Sequence, residues 1–384
     1  MKKIAIIHFS PIERYPPTVN WLNFLAEYDP AGCECRVFTS RPDTRTNRSF
    51  SPTKKFISVI RLAEIRKEQR SLVRYWNYFL FYIRTLLRLI FWKPDIILYY
   101  ETLSALPALI YKSYFRRRTE LFVHYHEYTS EQEYKEGIPM IRWPHRLEKK
   151  CYPQYRWISH TNTDRMRMFM EGNGNVRKDQ THILPNYPPR SWMAGRSTKK
   201  GNILQFVYVG AMDLSTMYTK EFAKWIVEQD GAVKWDIYSS NITAEAKDHL
   251  DALHCDHIRF IGSVEYASLP EVLRAYDIGV VLYKGTTLNY KYNAPNKLYE
   301  YWACGLDVWF PEGMDSCYPL VTNGVFPRVS AVNFGELQQL DLVRTTDRQG
   351  LAYAASPFYA EEVLPLLLEQ MNLQNLQDGG NRCE

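Results

Sequence analysis

No two cysteines in this chain stand at Cys-x-x-Cys spacing, and the seven present (Cys33, Cys35, Cys151, Cys255, Cys304, Cys317 and Cys383) are odd in number. That excludes a zinc ribbon or a dithiol redox pair and speaks for reduced thiols in a cytoplasmic protein. No Asp-x-Asp occurs, so there is no sequence sign of paired carboxylates holding Mg²⁺ or Mn²⁺ on a phosphate. No low-complexity tract marks a disordered region. Nor is there an uncharged run long enough to cross a bilayer. The longest apolar segment, LVRYWNYFLFYIRTLLRLIFW from Leu72 to Trp92, contains Arg74, Arg84 and Arg88, which would cost several kcal/mol in lipid. The opening MKKIAIIHF has an apolar run of only about four residues and no small-residue cleavage site after it, so it reads as a first strand and not as a signal peptide.

What is present points to a globular chain of two domains. A length of 384 residues exceeds one ordinary core, and 46% hydrophobic with 23% charged residues is a globular balance. Aromatic residues are abundant, with 28 Tyr, 18 Phe and 10 Trp, which suits sugar faces and membrane interfaces as well as cores. A net charge of +6 is too modest to announce nucleic acid, which is not expected as a partner. Its distribution is uneven: the stretch Arg61 to Lys93 and the run Arg116 to Arg118 are basic.

Short β-rich runs alternate with helical ones throughout. KKIAIIHF, CRVFTS, FISVIRL, DIILYYE, LFVHYHE, RWISHTN and HILPNY read as strands, with helices over 64–92, 104–115, 141–152 and 163–171. Alternation of this kind argues for a parallel sheet with helices on both faces. PPRSWMAGRSTKKGN then loses periodicity, and strands resume with ILQFVYVGA, VKWDIYSS, HIRFIGS, DIGVVLY and DVWFPE around helices at 219–228, 243–253, 268–276 and 296–304. The fold class expected is α/β, two doubly wound Rossmann-like domains facing each other across a cleft. The boundaries expected are 1–190, a linker at 191–202, a second domain at 203–355, and a C-terminal helix and tail at 356–384 that packs on either domain.

The stretch NAPNKLYEYWACG, residues 293–305, raises a chemical question. Pro295 suits a helix's first turn, where a missing N–H costs nothing, and Gly305 suits its end. The free amides of that turn, the helix dipole and Lys297 together make an anion site. Glu300, one turn on, is placed to accept both hydroxyls of a ribose. The plain alternative is an amphipathic helix whose Lys and Glu face solvent.

The segment YDIGVVLYK…NAPNKLYEYWACGLDVW is similar to the donor-binding segment of glycosyltransferase family 4 and its GT-B relatives, where a Pro-x-Lys-x-x-Glu helix lies between two strands. FVYVGAM resembles the first strand and Gly turn of that family's second domain, VHYHEYTSE its His-Glu-aromatic segment, and ILPNYPP its pre-linker Asn. The resemblance implies GT-B architecture and a retaining, metal-independent transfer of sugar from a nucleoside diphosphate to a saccharide or lipid-linked acceptor, in cell-surface polysaccharide or glycoconjugate synthesis. It implies donor-binding roles for Gly210, Lys220, Lys284, Asn296, Lys297, Leu298 and Glu300, and catalytic roles for His126 and Glu127. Two departures stand out. Tyr292 occupies the position eight before Glu300 where many members carry a second Glu, and no Arg follows Gly210. The basic role passes to Lys220 or Lys284. No cofactor is expected.

Weaker readings complete the set. Glu13 or Arg14, after the first strand, is a candidate for the acceptor side, although a Pro-ordered loop explains HFSPIERYPPTVNWL equally. His124 reads as a packed sheet histidine. At about 100° per residue, Arg66, Arg70, Arg74, Asn77, Arg84 and Arg88 fall in one stripe roughly 80° wide. An anionic membrane surface met through residues 61–93, with the protein peripheral on the inner face of the plasma membrane, is therefore a candidate partner; the alternative is a crossover helix with a solvated arginine edge. Rival functions are a nucleotide-sugar epimerase of the same fold, a DNA-modifying glucosyltransferase and a non-catalytic binding partner.

Overall fold

A computed structural model describes residues 1–42, 49–64, 71–193, 203–293, 295–342 and 347–373. The chain divides into two compact units, Met1–Asn186 joined by the segment that starts at Ala360, and Tyr187–Tyr359.

The first unit holds β1 (Lys2–His8), β2 (Cys33–Arg41), β3 (Ile57–Glu64), β4 (Ile96–Tyr100), β5 (Glu120–Tyr125), β6 (Trp157–His160) and β7 (Thr181–Ile183). They pair in parallel in the order β3-β2-β1-β4-β5-β6-β7. Strands such as Ile96–Tyr100 are buried throughout, as expected of a parallel sheet covered on both faces. Its helices are α1 (Pro16–Tyr28), α2 (Ser71–Trp92), α3 (Ala105–Ile110), α4 (Glu131–Glu136), α5 (Pro139–Cys151) and α6 (Thr163–Gly172). Helix α1 corrects the reading of a Pro-ordered loop: Pro16 and Pro17 occupy its first turn, the one place where a prolyl nitrogen without hydrogen fits a helix. The Arg66 and Arg70 part of the arginine stripe lies outside the described residues.

The second unit holds β8 (Leu204–Val209), α7 (Thr219–Glu228), β9 (Val233–Tyr238), α8 (Ala244–Ala252), β10 (Ile258–Gly262), α9 (Leu269–Leu273), β11 (Ile278–Val280), α10 (Leu288–Lys291), α11 (Asn296–Ala303), β12 (Asp307–Pro311), β13 (Val325–Phe326), β14 (Val329–Val332) and β15 (Ala352–Tyr353). Its sheet runs β10-β9-β8-β11-β12-β14, with β13 and β15 as a separate pair. The turn α10 stands where a loop was read.

Both ends of the second unit differ from the expected boundaries because side chains near them belong to its core. Tyr187 packs on Tyr299 and Phe358, and Trp192, inside the expected linker, is buried against Tyr266. The C-terminal helix Ala360–Gln370 belongs to the first unit, where Leu364, Leu367, Leu368 and Met371 share a core with Trp21, Leu22 and Leu25 of α1.

One buried group in the first unit makes its stability depend on pH. Glu148 of α5 is fully enclosed and accepts hydrogen bonds at Oε1 from the hydroxyls of Tyr99 (2.7 Å) and Tyr125 (2.9 Å). Burial pushes its carboxyl up to about 7, and the hydroxyls of Thr102, Tyr99 and Tyr125 only partly offset that. Between the unfolded value of 4.5 and about 7 the native state holds a proton that the unfolded chain has lost, so stability falls as pH rises. The slope from this group is at most about 1.4 kcal/mol per pH unit. Buried His8, His124 and His160, whose pKa values burial lowers, act in the opposite sense below pH 6.5. The test is therefore the difference between denaturant melts of wild type and Glu148→Gln from pH 5 to 8: wild type should lose stability relative to the variant as pH rises, and a constant difference would assign the pH dependence elsewhere.

Candidate functional site

In the second unit the sheet order reverses at β8, which lies between β9 and β11. Ligands of such sheets bind outside the carboxyl ends of the strands at this switch point. Here β8 is followed by Gly210, whose φ of +136° is reserved for residues without a Cβ. Its amide bonds to Tyr238 O at 2.9 Å, and the loop beyond is braced by Asp213 Oδ1, which accepts from Ser215 N and Thr216 N at 2.8 and 2.6 Å.

Helix α11 begins beside this turn. Pro295 is its N-cap rather than its first helical residue, with an extended backbone and no side-chain cap. Leu298 N bonds back to Pro295 O at 3.0 Å, so the amides of Asn296 and Lys297 are the ones a ligand would meet, lacking any preceding turn to bond to. Leu298 itself is fully buried in the core and contributes packing. Gly305, with φ +81°, ends the helix, and Leu306 N closes it on Tyr301 O at 3.0 Å.

Lys297 is half-buried and Glu300 is buried. The Lys297 ammonium donates to Tyr283 OH at 2.9 Å and sits 5.4 and 5.1 Å from the ring centres of Tyr208 and Tyr283, a cation–π arrangement. Gly210 leaves the space for it, since a Cβ there would fall 2.4 Å from Lys297 Cε and 2.7 Å from Nζ. Glu300 is 5% exposed. Burial pushes its carboxyl up to about 7 against the pull of Lys297 and a hydrogen bond from Tyr266. The other candidate lysines are placed differently. Lys284 is paired with Glu221 at 3.0 Å and lies over the Tyr218 ring, and Lys220 is exposed on α7. Among the described residues, Lys297 is thus the cation seated at the Gly turn.

The first unit has its own switch point, between β1 and β4, and a dense histidine cluster lies at its strand ends. His126 follows β5 and is 6% exposed. It stacks on Tyr100 and Tyr15 at 5.1 and 5.4 Å between ring centres. Its Nδ1 lies 3.3 Å from Asn186 Oδ1 and its Nε2 3.4 Å from Thr18 Oγ1; both distances are long, so a ligand hydroxyl can compete for either nitrogen. Burial, with His124 and His8 beside it, holds its pKa well below the usual histidine value, so the ring is neutral. His124 is buried and bonded to Ser159 Oγ at 2.9 Å, a packed sheet histidine.

Glu101, at the end of β4, escaped the sequence reading. Its Oε1 accepts the amides of His126 (2.6 Å) and Glu127 (3.2 Å), pinning the loop that carries both, while the Glu127 side chain remains exposed. Burial and the Glu127 charge push the Glu101 carboxyl up to about 8 despite these amides. Its backbone, φ +60° and ψ 155°, lies where essentially only glycine is at ease, a strain on the order of 1–3 kcal/mol. Arg165 completes the brace by donating to His126 O at 2.6 Å. Among the described residues the acceptor-side candidates are placed elsewhere: Glu13 is ion-paired with Arg61 and accepts Phe50 N at 2.7 Å, and Arg14 is exposed.

No family model and no curated protein matches the chain. Solved structures do, over nearly the full length. The Anabaena protein HepE, in complex with UDP-glucose, superposes with a TM-score of 0.66 at 14% identity, covering 97% of this chain and 100% of that one. Sucrose-phosphate synthase from Thermosynechococcus elongatus gives 0.68 at 14% identity over 97% and 98%. A putative UDP-N-acetylglucosamine 2-epimerase from Listeria monocytogenes gives 0.62 at 14% over 97% and 96%. Two α/β units built on parallel sheets of seven and six strands, together with these near-complete structural matches, give the chain the GT-B fold.

Proposed function

We propose that the chain is a retaining glycosyltransferase that moves a sugar from a nucleoside diphosphate to a saccharide or lipid-linked saccharide, in the building of a cell-surface polysaccharide or glycoconjugate. The observation that carries the reading is the seating of the Lys297 ammonium against Gly210 at the amino end of α11, at the sheet's switch point. In this reading the diphosphate lies on the amides of Asn296 and Lys297 and on the Lys297 charge, and needs no divalent cation. Glu300 accepts the ribose hydroxyls. Neutral His126 orients the sugar through hydrogen bonds and Glu127 serves the acceptor side, both on the loop that Glu101 holds. Lys220 and Lys284 have secondary roles, since Glu221 already neutralises the latter. The likeness to HepE and to sucrose-phosphate synthase supports a sugar nucleotide as donor.

Glu300→Ala tests the donor half. Donor KM should rise about tenfold or more for the loss of hydrogen bonds to a charged group, and full donor affinity in the variant would count against the assignment. The pH dependence has a definite sign. A carboxylate accepts from both ribose hydroxyls, and this one ionises at about 7, so UDP binding should tighten from pH 6 to 8 in the wild type and lose that trend in Glu300→Gln. Release of UDP from UDP-sugars should require an added saccharide and persist in EDTA. Release without an acceptor, with an inverted hydroxyl on the sugar, would identify an epimerase instead.

A further inference from the structure

Helix α2 turns an apolar ridge away from its own core. Tyr78, Phe81, Tyr82, Thr85 and Leu89 are buried, while Leu72, Trp76, Phe79, Ile83, Leu87 and Phe91 recur at steps of three and four residues on the opposite side and are 39% to 84% exposed. Trp76 and Phe79 stack with ring centres 5.5 Å apart. At about 1.5 Å per residue the ridge runs for roughly 30 Å, a continuous dry strip of a kind that monomeric soluble proteins rarely leave bare. Arg84 and Arg88 are exposed but form one border of the ridge, while Arg84 also holds Leu62 O at 2.7 Å.

The charge along the ridge's border is mainly basic, and Asp95, just past the helix, is already paired with Arg116 at 2.7 Å. Lys93, just past the helix, is exposed, and its carbonyl receives the Arg116 guanidinium. This ties the helix end to the turn Tyr111–Phe115, where Tyr114 is 82% and Phe115 53% exposed, followed by exposed Arg117 and Arg118. No Asp or Glu occurs from Ser71 to Pro94 or from Thr102 to Thr119.

We propose that this face docks on an anionic lipid surface, with α2 lying in the headgroup plane, its ridge in the acyl boundary and its basic border on the phosphates. A helix with aromatic and aliphatic residues on one face and arginines along its edge has the makeup of an interfacial helix. No helix among the described residues is long and apolar enough to cross a membrane, so α2 lies on the surface. A second copy of the same face would bring further arginines, and the carboxylate at the helix end, Asp95, is already taken by Arg116, whereas lipid phosphates supply unpaired negative charge. The inference stands on this face alone and is independent of the sugar-transfer reading.

Flotation of the full chain with vesicles tests it. Binding to phosphatidylcholine containing phosphatidylglycerol should exceed binding to phosphatidylcholine alone by about tenfold or more and weaken with added salt. Trp76→Ser with Phe79→Ser should abolish flotation while keeping the wild-type melting temperature; Leu72→Ser with Phe91→Ser, at the two most exposed ridge positions, serves if that pair unfolds. Arg84→Gln with Arg88→Gln should lower the preference for anionic vesicles. Wild type that stays unbound, equal binding to both vesicle types, or serine variants that float like wild type would overturn the proposal. So would a wild-type dimer in sedimentation that the serine variants convert to monomer, because a second copy would then occupy the ridge.

Discussion

Gly279→Ala should destabilise the second unit by about 3 kcal/mol or more, at the upper end for overpacking a core, and lower its melting temperature by roughly 6 to 12 °C. Gly279 lies in β11, and a Cβ there would fall 2.2 Å from Cγ and Cδ2 of Tyr301 and 2.8 Å from its Cβ. No flexible side-chain end is available to swing aside. The Tyr301 ring is completely buried, and its hydroxyl accepts Val209 N at 2.9 Å. That bond fixes the last residue of β8, the one before the Gly210 turn, so the strain should also loosen the donor site. Calorimetry of wild type and variant checks the first effect. Superimposable melts would show that β11 and α11 do not approach this closely.

Lys297→Ala should weaken UDP binding by about tenfold to a hundredfold, the range for a hydrogen bond made by a charged group, with little change in the melting temperature of the free protein. The ammonium is held by one hydroxyl and two ring faces, so its position is set before any ligand arrives and binding need not order a free lysine. Gly210→Ala should reproduce the loss without removing the charge, because its Cβ would occupy the place of Lys297 Cε. Titration calorimetry with UDP separates the cases. A Gly210→Ala protein that binds UDP as tightly as wild type, while Lys297→Ala does not, would mean the lysine works from another position.

What could be read from the residues was whatever is local. The buried strands IILYY and DVWFP announce themselves by continuous apolar runs, and Lys297 and Glu300 by their spacing on one short helix. What could not be read depends on the order in which strands assemble. Glu101 and His126 are 25 residues apart in sequence and meet because β4 lies beside β5; no spacing rule contains that. Tyr283 was passed over as part of a strand run, yet its hydroxyl holds Lys297. The missing Arg after Gly210 led attention to Lys220 and Lys284, when a lysine already named in the helix motif fills the space at the turn. Helix α1 was missed for a different reason: two adjacent prolines were taken as punctuation, although the first turn of a helix accepts both. On α2 the arginines drew the eye, but the wheel's apolar arc is too wide for one face of a sheet to cover.

The return of the C-terminal helix to the first unit bears on how the molecule is made. A ribosome emits residues 1–186 as a nearly complete sheet, yet Leu364, Leu367 and Leu368, which cover Trp21 and Leu25, are still to be translated. At typical elongation rates the intervening stretch takes on the order of ten seconds or more. During that interval nascent chains carry an open greasy seam, a natural target for holdase chaperones, and truncation before Ala360 would make the seam permanent.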